Sequence, residues 1–355
     1  MSIRVLLVED SPIAMMVLKR ILSSSPEIEI VGTARTGREG LDLIPRIQPD
    51  VICTDYFMPQ MNGLEFTSHV MVDYPLPILV VSASVQEDDP KRIFQLLEAG
   101  AVDILPKPKA GLDPDNVVLT QALINKVKIL SGVKVFRKKR SQLGRSQPLA
   151  DRRPQPPLLS ATRSSNFKII AVGASTGGPL ALQQLFMGLP KEFPWPIVCV
   201  QHISEGFLQG LLDWLMTTCG VSIEIAQADR KPQPGKIYFP PERQHLTINE
   251  YGRFVYLQAQ PEDIHCPAVT TLFSSVAKFY GRKTIGILLS GMGRDGADGM
   301  KSIVEAGGLT IAQDEATSVV FGMPRAAIEL DAAHQVLPIG AIAPAILELV
   351  NPVDQ

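Results

Sequence analysis

Arg4-Val5-Leu6-Leu7-Val8-Glu9-Asp10-Ser11-Pro12 is an apolar run that halts at a pair of carboxylates and then starts a helix. A strand that is apolar on both faces belongs in a parallel sheet with helices over each side. Val51-Ile52-Cys53-Thr54 repeats the pattern and ends at Asp55; later strands end at Ser82 and just before Lys107-Pro108. Open α/β sheets bind ligands at the carboxyl ends of their strands, so these residues are expected in one crevice. There Glu9, Asp10 and Asp55 offer hard oxygen ligands to Mg²⁺. Lys107 would neutralise a phosphoryl group added to Asp55, and Ser82 would hydrogen-bond it. In a plainer account Ser11 and Pro12 merely begin a helix and Lys107 is a solvated charge. That account leaves unexplained why every piece stands at a strand end, which is the context that gives the motif its meaning.

The pattern recurs later in the chain. Lys168-Ile169-Ile170-Ala171-Val172 runs into Gly173-Ala174-Ser175-Thr176-Gly177-Gly178-Pro179, followed by helical spacing of Leu180, Leu182, Leu185 and Phe186. Pro196-Ile197-Val198-Cys199-Val200 ends at Gln201-His202, and Thr284-Ile285-Gly286-Ile287-Leu288-Leu289 ends at Ser290-Gly291-Met292-Gly293-Arg294-Asp295-Gly296. Strand followed by helix predicts a second doubly wound parallel sheet. The stretch from Lys236 to Leu257 reads instead as short antiparallel strands with turns at Pro240-Pro241 and Tyr251-Gly252. The expected fold class is α/β throughout: a (βα)5 unit, then a parallel-sheet unit with a short antiparallel insertion.

Gly173 to Gly177 matches G-x-S-x-G, a sharp strand-to-helix turn that lifts a serine hydroxyl above a sheet beside the N–H groups of a helix start. The glycine spacing of a dinucleotide site and the lysine of a P-loop are both missing. Ser175, His202 and Asp295 each follow a different parallel strand, which predicts a nucleophile, a proton carrier and an orienting carboxylate in one crevice. Taken singly, a histidine after a strand is more often structural, and Asp295 has an alternative use as cap of a helix near Ala297. His245, His265 and His334 compete as bases. His265, in the loop before a helix expected from Val269 to Tyr280, is the best placed for a second role in the crevice.

A chain of 355 residues is long for one domain and suits two or three. Hydrophobic residues at 45% and charged residues at 20% describe an ordinary globular protein, and a net charge of −2 argues against a general nucleic-acid binder. The first strand begins at once, so no signal peptide is expected, and no apolar run approaches the ~20 residues of a membrane span. Cys53, Cys199, Cys219 and Cys266 lack metal or redox spacing, and Cys53 and Cys199 read as small buried hydrophobes. Between Val133 and Asn166 nine basic residues face the single acidic Asp151, amid prolines and small polar residues. Such a segment reads as an extended tether, open to docking by acidic partners. The expected divisions are 1–132, a linker at 133–166, and 167–355.

The first unit resembles the receiver domain of two-component response regulators, through Val8-Glu9-Asp10-Ser11-Pro12, Asp55 to Gly63, and Gly100 to Pro108. That resemblance implies that Asp55 is phosphorylated, that Glu9 and Asp10 complete a Mg²⁺ pocket, that Ser82 is the switch hydroxyl, and that Lys107 contacts the phosphate. Ile104 stands where receivers commonly carry an aromatic residue. With the proline-rich linker and the motifs around Ser175, His202 and Asp295, the whole chain is similar to the bacterial chemotaxis protein-glutamate methylesterase/protein-glutamine glutaminase family. The similarity implies hydrolysis of γ-glutamyl methyl esters, and deamidation of chosen glutamines, on methyl-accepting chemotaxis receptors. It implies that Thr176 and Met292 line the site, Met292 through its N–H at the oxyanion, and that the ester chemistry needs no cofactor. It further implies a sensor histidine kinase as phosphodonor and a monomeric cytoplasmic protein recruited to receptor arrays, without nucleic-acid binding or membrane insertion. A receiver that rests across the catalytic crevice until phosphorylated is also implied. The chain departs from the family's usual pattern at Cys266, Ala268, Thr270 and Glu242, departures expected to bear on which receptor helices it accepts. An adaptor that only binds a partner is the alternative; a DNA-binding output would need a basic helix-turn-helix, which the region after Lys168 does not offer.

Overall fold

Parallel strands, the innermost of them buried, place the first unit's chemistry at one end of a sheet. In the computed structural model, which describes residues 2–82, 90–108, 114–135, 137, 168–260 and 263–350, the chain divides into two compact units, Met1–Ala150 and Asp151–Gln355. The first alternates β1 (Ile3–Val8), α1 (Pro12–Ser23), β2 (Ile28–Ala34), α2 (Gly37–Ile47), β3 (Val51–Thr54), α3 (Gly63–Asp73), β4 (Ile78–Ser82), α4 (Pro90–Ala99), β5 (Asp103–Pro106) and α5 (Pro114–Leu130). Its sheet order is β2-β1-β3-β4-β5, parallel throughout. The order reverses between β1 and β3, which opens a crevice at their carboxyl ends. Ser11 caps α1 through its side chain, with Pro12 at the first helical position. That local role coexists with the acidic pair before it. The linker expected over 133–166 lies outside the described residues except for 133–135 and 137.

The second unit begins with β6 (Ile169–Ala174), α6 (Gly178–Met187), β7 (Ile197–Gln201), α7 (Leu208–Cys219), β8 (Ser222–Ile225) and β9 (Lys236–Phe239). A hairpin of β10 (Gln244–Ile248) and β11 (Phe254–Gln258) follows, then α8 (Val269–Tyr280), β12 (Thr284–Leu288), α9 (Ala297–Glu305), β13 (Leu309–Gln313), α10 (Met323–Glu329), β14 (Gln335–Leu337) and α11 (Ile339–Val350). The sheet runs β14-β13-β12-β6-β7-β9-β8, all parallel. Thus β12, β6 and β7, the strands leading to Asp295, Ser175 and His202, are adjacent. The antiparallel insertion is present as β10 and β11. One part of that expectation is corrected: β9 pairs in parallel with β7 and β8. The physical reason lies in its composition. Ile237, Tyr238 and Phe239 are consecutive and all buried, as a strand covered on both faces requires.

Val269, Leu272, Phe273 and Val276 form a fully buried stripe of α8 at helical spacing. They pack into one cluster with Ile169 and Ala171 of β6, Leu246 of β10 and Met300 of α9. Burial of such side chains stabilises by about 1.5–3 kcal/mol each, so the core anchors the start of α8 under the ends of β6 and β12. Among the described residues no helix is long and apolar enough to cross a membrane.

Candidate active site and phospho-acceptor pocket

Ser175 is the residue after β6, and its turn is tied to the strands on both sides. Its N–H donates to the Ser290 carbonyl beyond β12 over 3.0 Å, and its carbonyl accepts from the Gln201 side-chain amide at the end of β7 over 2.8 Å. The same Gln201 amide donates to the His202 carbonyl (2.8 Å), while the His202 N–H donates to the Ala174 carbonyl (2.9 Å). Gly177 turns the chain into α6 with φ of 76°, and a Cβ there would lie 2.5 Å from Cβ of Val319, so only glycine serves. A Cβ added to Gly291 would lie 2.8 Å from Ser175 Cβ, which places the segment after β12 directly against the serine. The N–H of Met292, the next residue, has no hydrogen-bond partner among the described residues. Thr176 is buried, and its carbonyl accepts from Ser290 Oγ over 2.8 Å.

His202 Nε2 meets Asp295 Oδ2 at 2.8 Å. A carboxylate only accepts, so Nε2 carries the hydrogen and the lone pair of a neutral ring sits on Nδ1. Nδ1 is buried and without a partner. The structure thus joins His202 to Asp295 but places no hydrogen bond between Ser175 and His202. Asp295 also accepts from the N–H groups of Val269 (2.7 Å), Thr270 (2.9 Å) and Gly296 (2.8 Å). Burial opposes its charge, but the His202 ring and those amides outweigh burial and hold the carboxyl well below the usual carboxylate range. The capping alternative for Asp295 is therefore realised on α8 rather than α9, alongside the bond to His202. His265 lies flat against His202, ring centroids 4.2 Å apart and planes inclined by 18°. His334, by contrast, binds Thr310 Oγ1 at 2.7 Å, and His245 pairs with Asp263 at 2.9 Å.

The sequence reading did not find the side chains that brace this arrangement. Gln201 figured only as the neighbour of His202. Gln313 accepts the Ser290 N–H (2.8 Å), and Thr270 Oγ1 accepts the Gly296 N–H (2.8 Å). A buried glutamine at a strand end was the available signal, since burying an amide demands partners.

In the first unit Glu9, Asp10 and Asp55 each bring a carboxylate oxygen within 4.8 Å of the others. Lys107 Nζ donates to Glu9 Oε1 (2.9 Å) and Asp55 Oδ2 (2.6 Å), and Ser82 hydrogen-bonds Asp55. Burial raises the Glu9 carboxyl above its ordinary value, with the Asp55 charge adding to it; burial likewise raises Asp55 despite Lys107. For Lys107, burial is outweighed by Asp55 and Glu9, which raise its pKa. Glu9 Oε2 is buried with no partner. Crowded carboxylates with an unpaired buried oxygen suit a hard divalent cation such as Mg²⁺. Ile104 is buried in β5.

Residues 170–346 match the family model of the CheB methylesterase, and residues 5–116 that of the response regulator receiver domain. The chain is 40% identical over 352 residues to the protein-glutamate methylesterase/protein-glutamine glutaminase 1 of Syntrophus aciditrophicus, covering 99% of each. It is also 40% identical to the corresponding protein of Nitrosospira multiformis over 348 residues, 98% of this chain and 97% of that one. The crystal structure of the Thermotoga maritima CheB methylesterase catalytic domain matches with a TM-score of 0.50 and 38% identity, over 52% of this chain and 99% of that one. With relatives this similar along its whole length, and with both units matched by their own family models, the chain belongs to the protein-glutamate methylesterase/protein-glutamine glutaminase family.

Proposed function

We propose that the protein is a phosphorylation-controlled hydrolase that removes γ-glutamyl methyl esters from methyl-accepting chemotaxis receptors, releasing methanol, and deamidates selected glutamines there. The observation that carries this reading is the His202–Asp295 hydrogen bond of 2.8 Å, beside the braced Ser175 turn. With Nε2–H held by Asp295, the Nδ1 lone pair of His202 takes the Ser175 proton as the hydroxyl attacks the ester carbon. The tetrahedral oxyanion is held by backbone N–H groups at Thr176 and Met292; one such donor is worth about 3 kcal/mol in well-studied hydrolases. His202 then delivers the proton to the departing methanol oxygen, or to the ammonia nitrogen when the substrate is glutamine. Water resolves the acyl-enzyme along the reverse path, with His202 again as base. Asp295 stays ionised, fixing the ring tautomer and stabilising the imidazolium.

In the receiver, Glu9, Asp10 and Asp55 would hold Mg²⁺, which neutralises phosphoryl charge as it comes onto Asp55. Lys107 and Ser82 are assigned to the phosphate oxygens, and a sensor histidine kinase to the role of donor. Divisions at 1–132, 133–166 and 167–355, a monomer, and a cytoplasmic protein drawn to receptor arrays complete the proposal.

Methylated receptor membranes supply the test. Ser175→Ala should leave the protein folded and release methanol at less than about a hundredth of the wild-type rate. A folded variant above that rate would remove Ser175 from its role. Wild type that binds the membranes but releases neither methanol nor ammonia would instead mark an adaptor.

A further inference from the structure

His245 and Asp263 form a second histidine–carboxylate pair beside the Ser175, His202 and Asp295 group. His245 comes from β10 and is buried; its Nε2–H donates to Asp263 Oδ2 over 2.9 Å. Its other nitrogen, Nδ1, accepts the N–H of Ala268 over 3.1 Å. A ring that accepts at Nδ1 and donates at Nε2 is neutral and held in a single tautomer. Asp263 Oδ2 accepts in addition from the Gln260 N–H over 2.7 Å. One imidazole therefore grips both ends of the segment from Asp263 to Ala268.

That segment carries His265, whose ring lies on the face of His202 with centroids 4.2 Å apart. It ends at Ala268, immediately before the Val269 and Thr270 amides that hold Asp295. A single hydrogen bond at Nε2 leaves the His202 ring able to swing about that contact. A second ring lying flat against it takes the swing away. The lever arm is short, and rate is steep in geometry: a displacement of about 1 Å at a reacting group can cost about a hundredfold.

We propose that His245 and Asp263 are positioning residues for the hydrolysis, latching the loop that holds His265 against His202 so that Nδ1 stays presented to the nucleophile. The inference rests on the reading of His202 as the base.

The full chain hydrolysing p-nitrophenyl acetate tests it without any receptor contact. Asp263→Ala should lower kcat about tenfold with KM unchanged, and Asp263→Asn, which keeps an oxygen for the His245 N–H, should restore it to within about twofold. His265→Ala should cause a similar loss, and the double variant Asp263→Ala/His265→Ala should fall no more than about twofold below the slower single variant, because both act through one contact. Losses that multiply in the double variant, or an Asp263→Ala rate within about twofold of wild type, overturn the proposal. Should Asp263→Ala not fold, His245→Phe carries the same cycle, since it keeps the ring and removes both the donor to Asp263 and the acceptor for Ala268. Wild type without Ser175-dependent hydrolysis would overturn the underlying reading and this inference together. Ser175-dependent hydrolysis with multiplying losses sinks this inference alone.

Discussion

Each oxygen of the Asp295 carboxylate accepts twice: Oδ1 from the Thr270 and Gly296 amides, Oδ2 from the Val269 amide and the His202 ring. Those donors bind the ionised form more strongly than the neutral acid, which is why its pKa is lowered against the opposing pull of burial. The sign for stability follows by linkage. A carboxyl whose folded pKa lies below its unfolded value contributes stability that is present above about pH 4 and is lost as pH falls toward the folded value. Trp195 and Trp214 are the chain's two tryptophans and both belong to the second unit, so their fluorescence follows that unit alone. In urea titrations the wild-type midpoint should drop steeply below about pH 4, whereas Asp295→Asn should start lower and change less over the same range. Equal slopes would mean that the carboxylate is not held as described.

At the scale of elements, what could be read in the sequence depended on whether the signal was local. The helix expected from Val269 to Tyr280 is α8, and the strands ending at Ser175, His202 and Asp295 lie side by side, because unbroken apolar runs and glycine turns carry their own pattern. β9 defeats this reading because Pro240-Pro241 looks like a hairpin turn, whereas β9 pairs in parallel with β7 and β8, which precede it, and not with the strand that follows the prolines. Braces such as Gln201 to the Ser175 carbonyl and Gln313 to the Ser290 N–H leave no periodic trace at all. The same holds for Glu242. Its carboxylate accepts the N–H groups of Gly206 (2.8 Å) and Leu208 (3.3 Å) at the start of α7. Phe207, at the N-cap position itself, offers no side-chain bond. Glu242→Ala should therefore cost about 1 kcal/mol, with Glu242→Gln retaining most of it, read as urea midpoints by the same tryptophans. An alanine variant as stable as wild type would show that solvent caps α7 equally well.

For the whole molecule, each unit puts its chemical residues at the carboxyl ends of a parallel sheet, and the proposed function requires one site to govern the other. The cluster of Glu9, Asp10 and Asp55, proposed to hold Mg²⁺, makes Asp55 the group that a small phosphodonor such as acetyl phosphate should label, with labelling lost in Asp55→Asn and on chelation of Mg²⁺. With residues 133–166 proposed as a tether, the receiver would have a high effective concentration at its neighbour, so a change in receiver conformation could register as a change in rate. The change is bounded: a tenfold rise in methanol release on phosphorylation needs about 1.4 kcal/mol of difference between the receiver states. We expect the initial rate to rise in wild type and not in Asp55→Asn. A fragment beginning at Ser160 separates the two ways this can happen. If the unphosphorylated receiver restrains hydrolysis, the fragment runs faster than the resting full chain and phosphorylation closes much of the gap. If the fragment is no faster, the receiver does not restrain the enzyme, and phosphorylation must act by raising the rate directly or by bringing the chain to its receptors. Soluble p-nitrophenyl acetate, which needs no receptor, then tells those two apart: direct activation speeds its hydrolysis, and recruitment leaves it unchanged.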